Sequence, residues 1–497
     1  MSIRRNIFSN YVSQGYVTLV GIIMVPLYIR HMGPEAYGLV GFFAMLQVWF
    51  NLLDLGLTPT IARETARFHA GAMDALSFRR LVRALEGVFL LVAVAGTAAL
   101  MAASTTIASE WLQAARLPVS EVQSSVQLMA AIVALRWMCG LYRGIVSGSE
   151  RLVWLGAYNA SIATLRSVPV LAVLMYVSAT PTAFFSFQFG VAALELGGLT
   201  FFAYRLLPGV SPEQQPPWQW SPLKPVLKFS ATIAFTSLAW ALVTETDKLV
   251  LSRILPLADY GYFSAAVLVA SGIIILSAPI SSAILPRMAR LHAEGKHSEL
   301  INVYRNATQL VAVVAAPAAL VLAVFAKQAL WAWTGDVTLV EKAAPVLTLY
   351  AAGYGILAIS TFPYFLQYAT GNLKLHFIGS ALMAILLVPL LIWAAMNYGM
   401  TGAGWAWLIS NSVYFMVWVP LVHMRLVKGL HSTWLITDIG IICIPVLAFA
   451  LLMDRFLQWG GNRLETTISL CAIGFVMLMA AGLFSSSIRE FVVRKVR

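Results

Sequence analysis

Residues 66–71 read ARFHAG, and residues 289–294 read ARLHAE. The two phrases lie 223 positions apart, and the same offset recurs elsewhere. Arg30 falls on Arg253, Tyr37 on Tyr260, Gly38 on Gly261, Arg67 on Arg290 and His69 on His292. Farther along, Ser147, Gly148 and Ser149 fall on Thr370, Gly371 and Asn372, Arg151 on Lys374, Leu152 on Leu375, and Gly156 on Gly379. One ungapped register through three separated loops points to a duplicated unit.

The medium around that unit follows from composition. The chain has 497 residues, 60% hydrophobic and 11% charged, with mean hydropathy +0.80. Soluble domains carry about 25% charged residues. So few charges cannot cover the surface of a water-soluble protein of this size, and the chain must use lipid as solvent. The net charge of +12 then reads as basic loops that set membrane orientation. No basic run is interleaved with aromatics in a polar segment, so nucleic acid is not an expected partner. Cys139, Cys443 and Cys471 sit in apolar stretches without disulfide or metal spacing. The seven histidines lack ligand spacing and no Gly-rich phosphate loop occurs, so no metal, cofactor or ATP is expected.

At about 20 apolar residues per crossing, the sequence yields about 14 spans. They fall roughly at 9–29, 36–61, 84–108, 124–147, 153–177, 183–204, 226–252, 260–285, 307–330, 343–369, 375–396, 401–424, 434–454 and 465–486. Lys and Arg favour one set of loops by about three to one, which places both termini in the cytoplasm. The Pro-rich stretch YRLLPGVSPEQQPPWQWSPLKP at 204–225 follows the sixth span and reads as a semi-stiff linker. The expected fold is all-α: two six-helix lobes related by a parallel pseudo-two-fold repeat, with two extra C-terminal helices as an appendage. The boundaries are 1–208 for the first lobe, 209–225 for a cytoplasmic linker, 226–424 for the second lobe and 425–497 for the remainder. The AR-x-HA phrases end the second span of each lobe, where arginine anchors at headgroups.

A charge at mid-membrane costs at least about 2.5–3.5 kcal/mol and needs a reason. The candidates are Asp54, Glu86, Arg136, Arg143, Arg166, Glu195, Glu245, Asp247 and Lys248. Arg136 and Arg143 are seven apart on one helical face, with Gly140 between them leaving room for a ligand or a close helix. Arg136 and Arg166 either pair with Glu86 or Glu195 or meet a ligand, and Arg143 snorkels toward an interface or joins them. In span 7, Ser230, Ser237, Ala241, Thr244 and Lys248 form one small, polar stripe that reads as cavity lining, with Glu245 beside it and Asp247 about 100° away. Span 1 carries Asn6, Asn10, Ser13 and Gln14 on one face, either as sugar-binding amides and hydroxyls or as interhelical contacts. Asp54 reads as an ion site or as a cap for a helix break at Gly56 and Pro59.

Beyond this, PLYIRHMGPEAYGLVGFFAMLQVWFNLLDLGLTPTIARETAR at 26–67 resembles the first two helices of the Wzx-type O-antigen flippases. These form a branch of the multidrug/oligosaccharidyl-lipid/polysaccharide (MOP) exporter superfamily. TDKLVLSRILPLADYGYFSAA at 246–266 resembles that family's seventh helix and following loop. The resemblance covers spans 1 to 12. It implies a transporter, not an enzyme, in the bacterial inner membrane, moving a polyprenyl-pyrophosphate-linked oligosaccharide between leaflets through a cationic cavity by alternating access. Arg136, Arg166, Lys248 and Arg143 would hold pyrophosphate, since guanidinium forks suit its oxygens. Asn10, Ser13 and Gln14 would hold glycan, and Asp54, Glu245 and Asp247 would serve ion coupling or gating. The lipid bilayer is a partner, and the resemblance leaves open a polysaccharide polymerase and chain-length machinery as others. A drug-cation antiporter of the same superfamily is the alternative; a polysaccharide polymerase or ligase would need larger outer loops. The expected cavity lies between lobes, lined by spans 1, 2, 7 and 8.

Overall fold

The computed structural model describes residues 3–209, 220–223, 238 and 241–490. Among them every regular element is a helix, and one isolated parallel bridge joins Gln113 and Pro256. It divides into two compact units, Met1–Gly261 and Tyr262–Arg497.

The first unit begins with α1, Ile3–Asn51. At 1.5 Å per residue, 49 residues extend about 74 Å, more than twice a hydrocarbon core of about 30 Å. The helix therefore has to break, and does so at Gly33 (φ 85°), a left-handed conformation that glycine adopts without a Cβ penalty. Pro34 follows, with its φ preset for the next helix start. Two spans result, Val12–Met32 and Pro34–Asp54. Leu55 (φ 46°) and Gly56 (φ 75°) then redirect the chain into α2, Leu57–His69. Asp74 caps α3, Ala75–Thr106, by accepting from the Ser77 amide at 2.8 Å. Hydrogen bonding to Ser77 holds the Asp74 carboxyl below the usual carboxylate range.

Next come α4 (Val119–Gly148), α5 (Leu152–Ser167), α6 (Pro169–Tyr176), α7 (Pro181–Leu206) and α8 (241–254). Gly140, Gly144 and Gly148 recur every four residues on α4 and receive α2: a Cβ at each would collide with Thr58, with Ile61 and Thr58, or with Ala62 and Thr65. Small residues at this spacing let helix backbones approach closely where lipid offers no hydrophobic drive. The room left by Gly140 is thus filled by a helix.

The second unit contains most of α9 (Leu257–Ala293), then α10 (His297–Val324), α11 (Ala326–Thr334), α12 (Val337–Ser360) and α13 (Phe362–Ala369). They are followed by α14 (Lys374–Val413), α15 (Val419–Leu426), α16 (Leu430–Thr433), α17 (Ile441–Phe456) and α18 (Arg463–Phe484). Large apolar side chains such as Leu90, Leu91 and Val94 on α3, and Ile444, Leu447 and Leu451 on α17, face outward, as lipid solvation permits.

Twelve helices among the described residues are long and apolar enough to cross a membrane, against about 14 expected. One of the twelve covers 53 residues, Lys374–Leu426. A break at Gly399 (φ 59°) separates the two spans expected within it. The span expected at 226–252 lies partly outside the described residues, and with it Ser230 and Ser237 of the polar stripe.

The two last helices are bound firmly into the second unit. Ile442, Val446 and Ala450 of α17 and Ile473, Met477 and Ala481 of α18 form one buried cluster with Ala312 and Val313 of α10. A polar seam reinforces it. Asp438, fully buried, accepts from Arg305 Nε at 2.7 Å and from Gln309 Nε2 at 2.8 Å. Gln309 Oε1 accepts from Ser485 at 3.0 Å, Ser486 at 3.1 Å and the Ser487 amide at 3.1 Å.

Candidate functional site

Pro169 creates the first feature of the site. It has no amide hydrogen and ends α5 near its arginine, leaving backbone carbonyls of the last turn to find other donors. Gln188 of α7 fills that role, donating from Nε2 to the Arg166 carbonyl at 2.9 Å. Its other amide atom, Oε1, accepts from Arg136 Nη2 at 3.0 Å. Arg136 also donates from Nη1 to Gln47 Oε1 at 2.9 Å and lies 5.3 Å from the Phe43 ring centre, within cation–π range. Gln188 is buried. A lone amide in an apolar span needs such partners, because an unpaired polar group in hydrocarbon is costly.

Glu195, one turn pair farther along α7, is 2% exposed. It pairs with Arg143 through Oε1 and lies 3.9 Å from Arg136 Nε through Oε2. Arg136 Nε and Glu195 Oε2 are buried without a hydrogen bond among the described residues, so this second contact is a loose ion pair. The Arg143 side chain is 41% exposed. Glu86 stands apart: it accepts from Tyr204 at 2.6 Å and Tyr142 at 3.3 Å and pairs with Arg83 at 3.4 Å.

Arg166 differs from the other two arginines. Its side chain makes no hydrogen bond or ion pair among the described residues, although Glu195 and Arg136 lie within electrostatic reach. Three guanidiniums against one carboxylate leave this cluster with two formal positive charges. Such a surplus inside an apolar bundle is costly and calls for a reason.

The other expected residues fall elsewhere. Ser13 donates to the Gly156 carbonyl at 2.7 Å and joins α1 to α5. Gln14 is exposed, and the Asn10 and Asn6 side chains lie outside the described residues. Asp54 accepts from the Thr58 amide at 3.1 and 3.2 Å and from its hydroxyl at 2.8 Å, so it caps α2 across the Leu55–Gly56 turn. Lys248 Nζ donates to Glu245 at 2.8 Å and to the Thr244 carbonyl at 3.0 Å. Asp247 is 2% exposed and accepts from the Lys248 amide at 2.8 Å. Gln47 and Gln188 were not foreseen; their signal is an amide inside an otherwise apolar span.

Helices of this length and polarity, with buried cations on their facing sides, define a multi-pass membrane transporter. Residues 3–292 match the family described as "Polysaccharide biosynthesis protein", and the chain belongs to it. A Shigella flexneri protein named "Putative O-antigen transporter" is 20% identical over 416 residues, covering 82% of this chain and 95% of the relative. The fold is that of the MOP superfamily. The structure of the lipid II flippase MurJ in an inward closed conformation aligns with TM-score 0.75 at 12% identity, over 97% of this chain and 99% of that one. An inward-facing multidrug resistance transporter of the MATE family aligns with TM-score 0.66 at 15% identity, over 82% of this chain and 94% of that one.

Proposed function

We propose that this protein translocates a polyprenyl-pyrophosphate-linked oligosaccharide, an O-antigen or other polysaccharide repeat unit, from the cytoplasmic to the outer leaflet of a bacterial inner membrane by alternating access. Both termini face the cytoplasm, as the basic loops direct. The observation that carries the reading is the uneven pairing of the arginines. Glu195 neutralises part of the Arg136 and Arg143 charge, while Arg166 keeps its donors available among the described residues. Pyrophosphate presents several anionic oxygens, and a guanidinium fork binds such groups in two directions at once. The family assignment and the O-antigen relative support the same cargo.

A drug-cation antiporter would use free acidic groups. Here Asp54 is occupied as a cap and Glu245 is paired with Lys248, which favours the anionic cargo.

The test is translocation in liposomes of a fluorescent polyprenyl-pyrophosphate oligosaccharide, read by an impermeant quencher. Arg166→Gln should slow translocation by roughly tenfold or more, a change of about 1.4 kcal/mol, with an unaltered thermal unfolding midpoint. Translocation unchanged in Arg166→Gln would overturn the site. Movement of an organic cation in place of the lipid would overturn the cargo.

A further inference from the structure

The second unit holds a cavity of about 610 Å³ at the end that carries its basic loops. His292 lies at the end of α9, His297 and Ser298 open α10, and Asn302 follows one turn later. Leu366 of α13 and Val427, just past α15, are apolar walls. The two imidazole rings stand 5.9 Å apart, centre to centre. Nδ1 of His292 is buried and has no hydrogen-bond partner among the described residues.

The 223-residue register sets this cavity against the first unit. His69, the counterpart of His292, bonds the Thr65 carbonyl through Nδ1 at 2.9 Å, one turn back along its own helix. Asn302 and Val427 fall on Arg79 and Tyr204. Arg79 lies 5.8 Å from the Tyr204 ring centre and donates to the Pro208 carbonyl at 2.9 Å. Two long side chains thus meet in the first unit where two shorter ones border a cavity in the second. Asp74, which caps α3, falls on His297, while no side chain caps α10. An imidazole therefore stands where the first unit has a carboxylate. The nearby acids are engaged elsewhere: Glu294 pairs with Arg290 and Lys296, and Glu299 lines a separate groove with Arg287.

We propose that this cavity binds a small phosphate-bearing molecule through His292, His297, Ser298 and Asn302. Imidazole N–H, hydroxyl and amide groups all donate to phosphate oxygens, and the positive end of α10 favours the same charge. The volume falls within the about 300–1,000 Å³ of ligand pockets. That is more than phosphate alone fills, and Leu366 and Val427 offer apolar surface to the body that carries it. Two sources share this chemistry, a phospholipid headgroup and a soluble phosphate ester. The site belongs to the second unit, shares no residue with the arginine cluster, and goes beyond the translocation reading.

The test reads binding without transport. Diethylpyrocarbonate modifies accessible imidazole nitrogens, and mass spectrometry gives the rate at each histidine. In purified protein in a maltoside detergent, which carries no phosphate, glycerol 3-phosphate should slow modification of His292 and His297. At about four times its Kd a ligand leaves about one site in five free, so the slowing should reach about fivefold. His69 should be unaffected and serves as the internal reference. Val427→Tyr, which installs the first unit's residue, should abolish the protection. Asn302→Leu, at an exposed position, should weaken it several-fold with the fold intact; if Val427→Tyr fails to fold, Asn302→Leu alone decides. Short-chain phosphatidylglycerol in the same detergent distinguishes the sources: protection at lower concentration than the ester assigns the headgroup, and protection by the ester alone assigns a soluble ligand. No protection from either compound would overturn the site, as would equal slowing at His69 or full protection surviving either folded variant.

Discussion

Replacing Glu195 by glutamine keeps the shape of the arginine cluster and removes its carboxylate charge. The formal surplus rises from two to three positive charges. The magnitude follows from the two pairs Glu195 makes. Opposite charges near 4 Å attract by about 4 kcal/mol at an effective dielectric of about 20, and the Arg136 and Glu195 side chains are 12% and 3% exposed. The Arg143 side chain is 41% exposed, so its pair is discounted to about 0.5–1 kcal/mol. Breaking a buried pair by removing one partner costs about 3–5 kcal/mol. Glutamine still offers Arg143 an acceptor, which lowers the expected loss to about 2–4 kcal/mol. Arg143→Gln should cost only about 1 kcal/mol, because it leaves Glu195 facing Arg136. Denaturant unfolding of purified protein in detergent, followed by tryptophan emission, compares the three proteins. Glu195→Gln as stable as Arg143→Gln would refute the claim that the deep Arg136–Glu195 pair holds α4 to α7.

Two further outcomes are expected. Asp438→Asn should destabilise the second unit by about 2–4 kcal/mol, because it strands Arg305 beside a buried neutral amide. Protease release of the α17–α18 segment would report it, and wild-type resistance would count against the seam. Asp54→Asn should be nearly neutral and Asp54→Ala should cost about 0.5–2 kcal/mol, the ranking of a helix cap. An Asp54→Asn protein that folds normally yet loses ion-dependent transport would make Asp54 an ion site instead.

The sequence made the solvent legible because lipid demands an excess of apolar residues that no local detail can hide. It also exposed the breaks, since Gly33–Pro34, Gly56–Pro59 and Gly399 interrupt runs too long for one crossing. Arg136, Arg143 and Glu195 stood out for the same reason: each is an expensive residue in an apolar span. Their pairing was not legible. Helical periodicity gives the face a residue occupies on its own helix, but Glu195 against Glu86 as the partner depends on how α4 sits against α7. The neutral amides escaped for a related reason. Gln47 and Gln188 carry no charge to draw the eye, yet with Arg136 and the Arg166 carbonyl they link four helices, α1, α4, α5 and α7.

The last two helices show the converse. Lying outside the 223-residue register, they read as an appendage, and their few polar residues sit near predicted span ends. Asp438 falls in the π-helical turn Trp434–Gly440, a local widening that re-aims side chains relative to a regular helix. No 3.6-residue pattern locates Asp438 against Arg305. Conversely, the repeat found Gly38 and Gly261 as equivalents without showing that they touch. Register alone does not predict contact: Gly148 and Gly371 are equivalents in the same repeat, yet a Cβ on Gly148 would meet Ala62 and Thr65 while one on Gly371 would meet nothing within 4 Å.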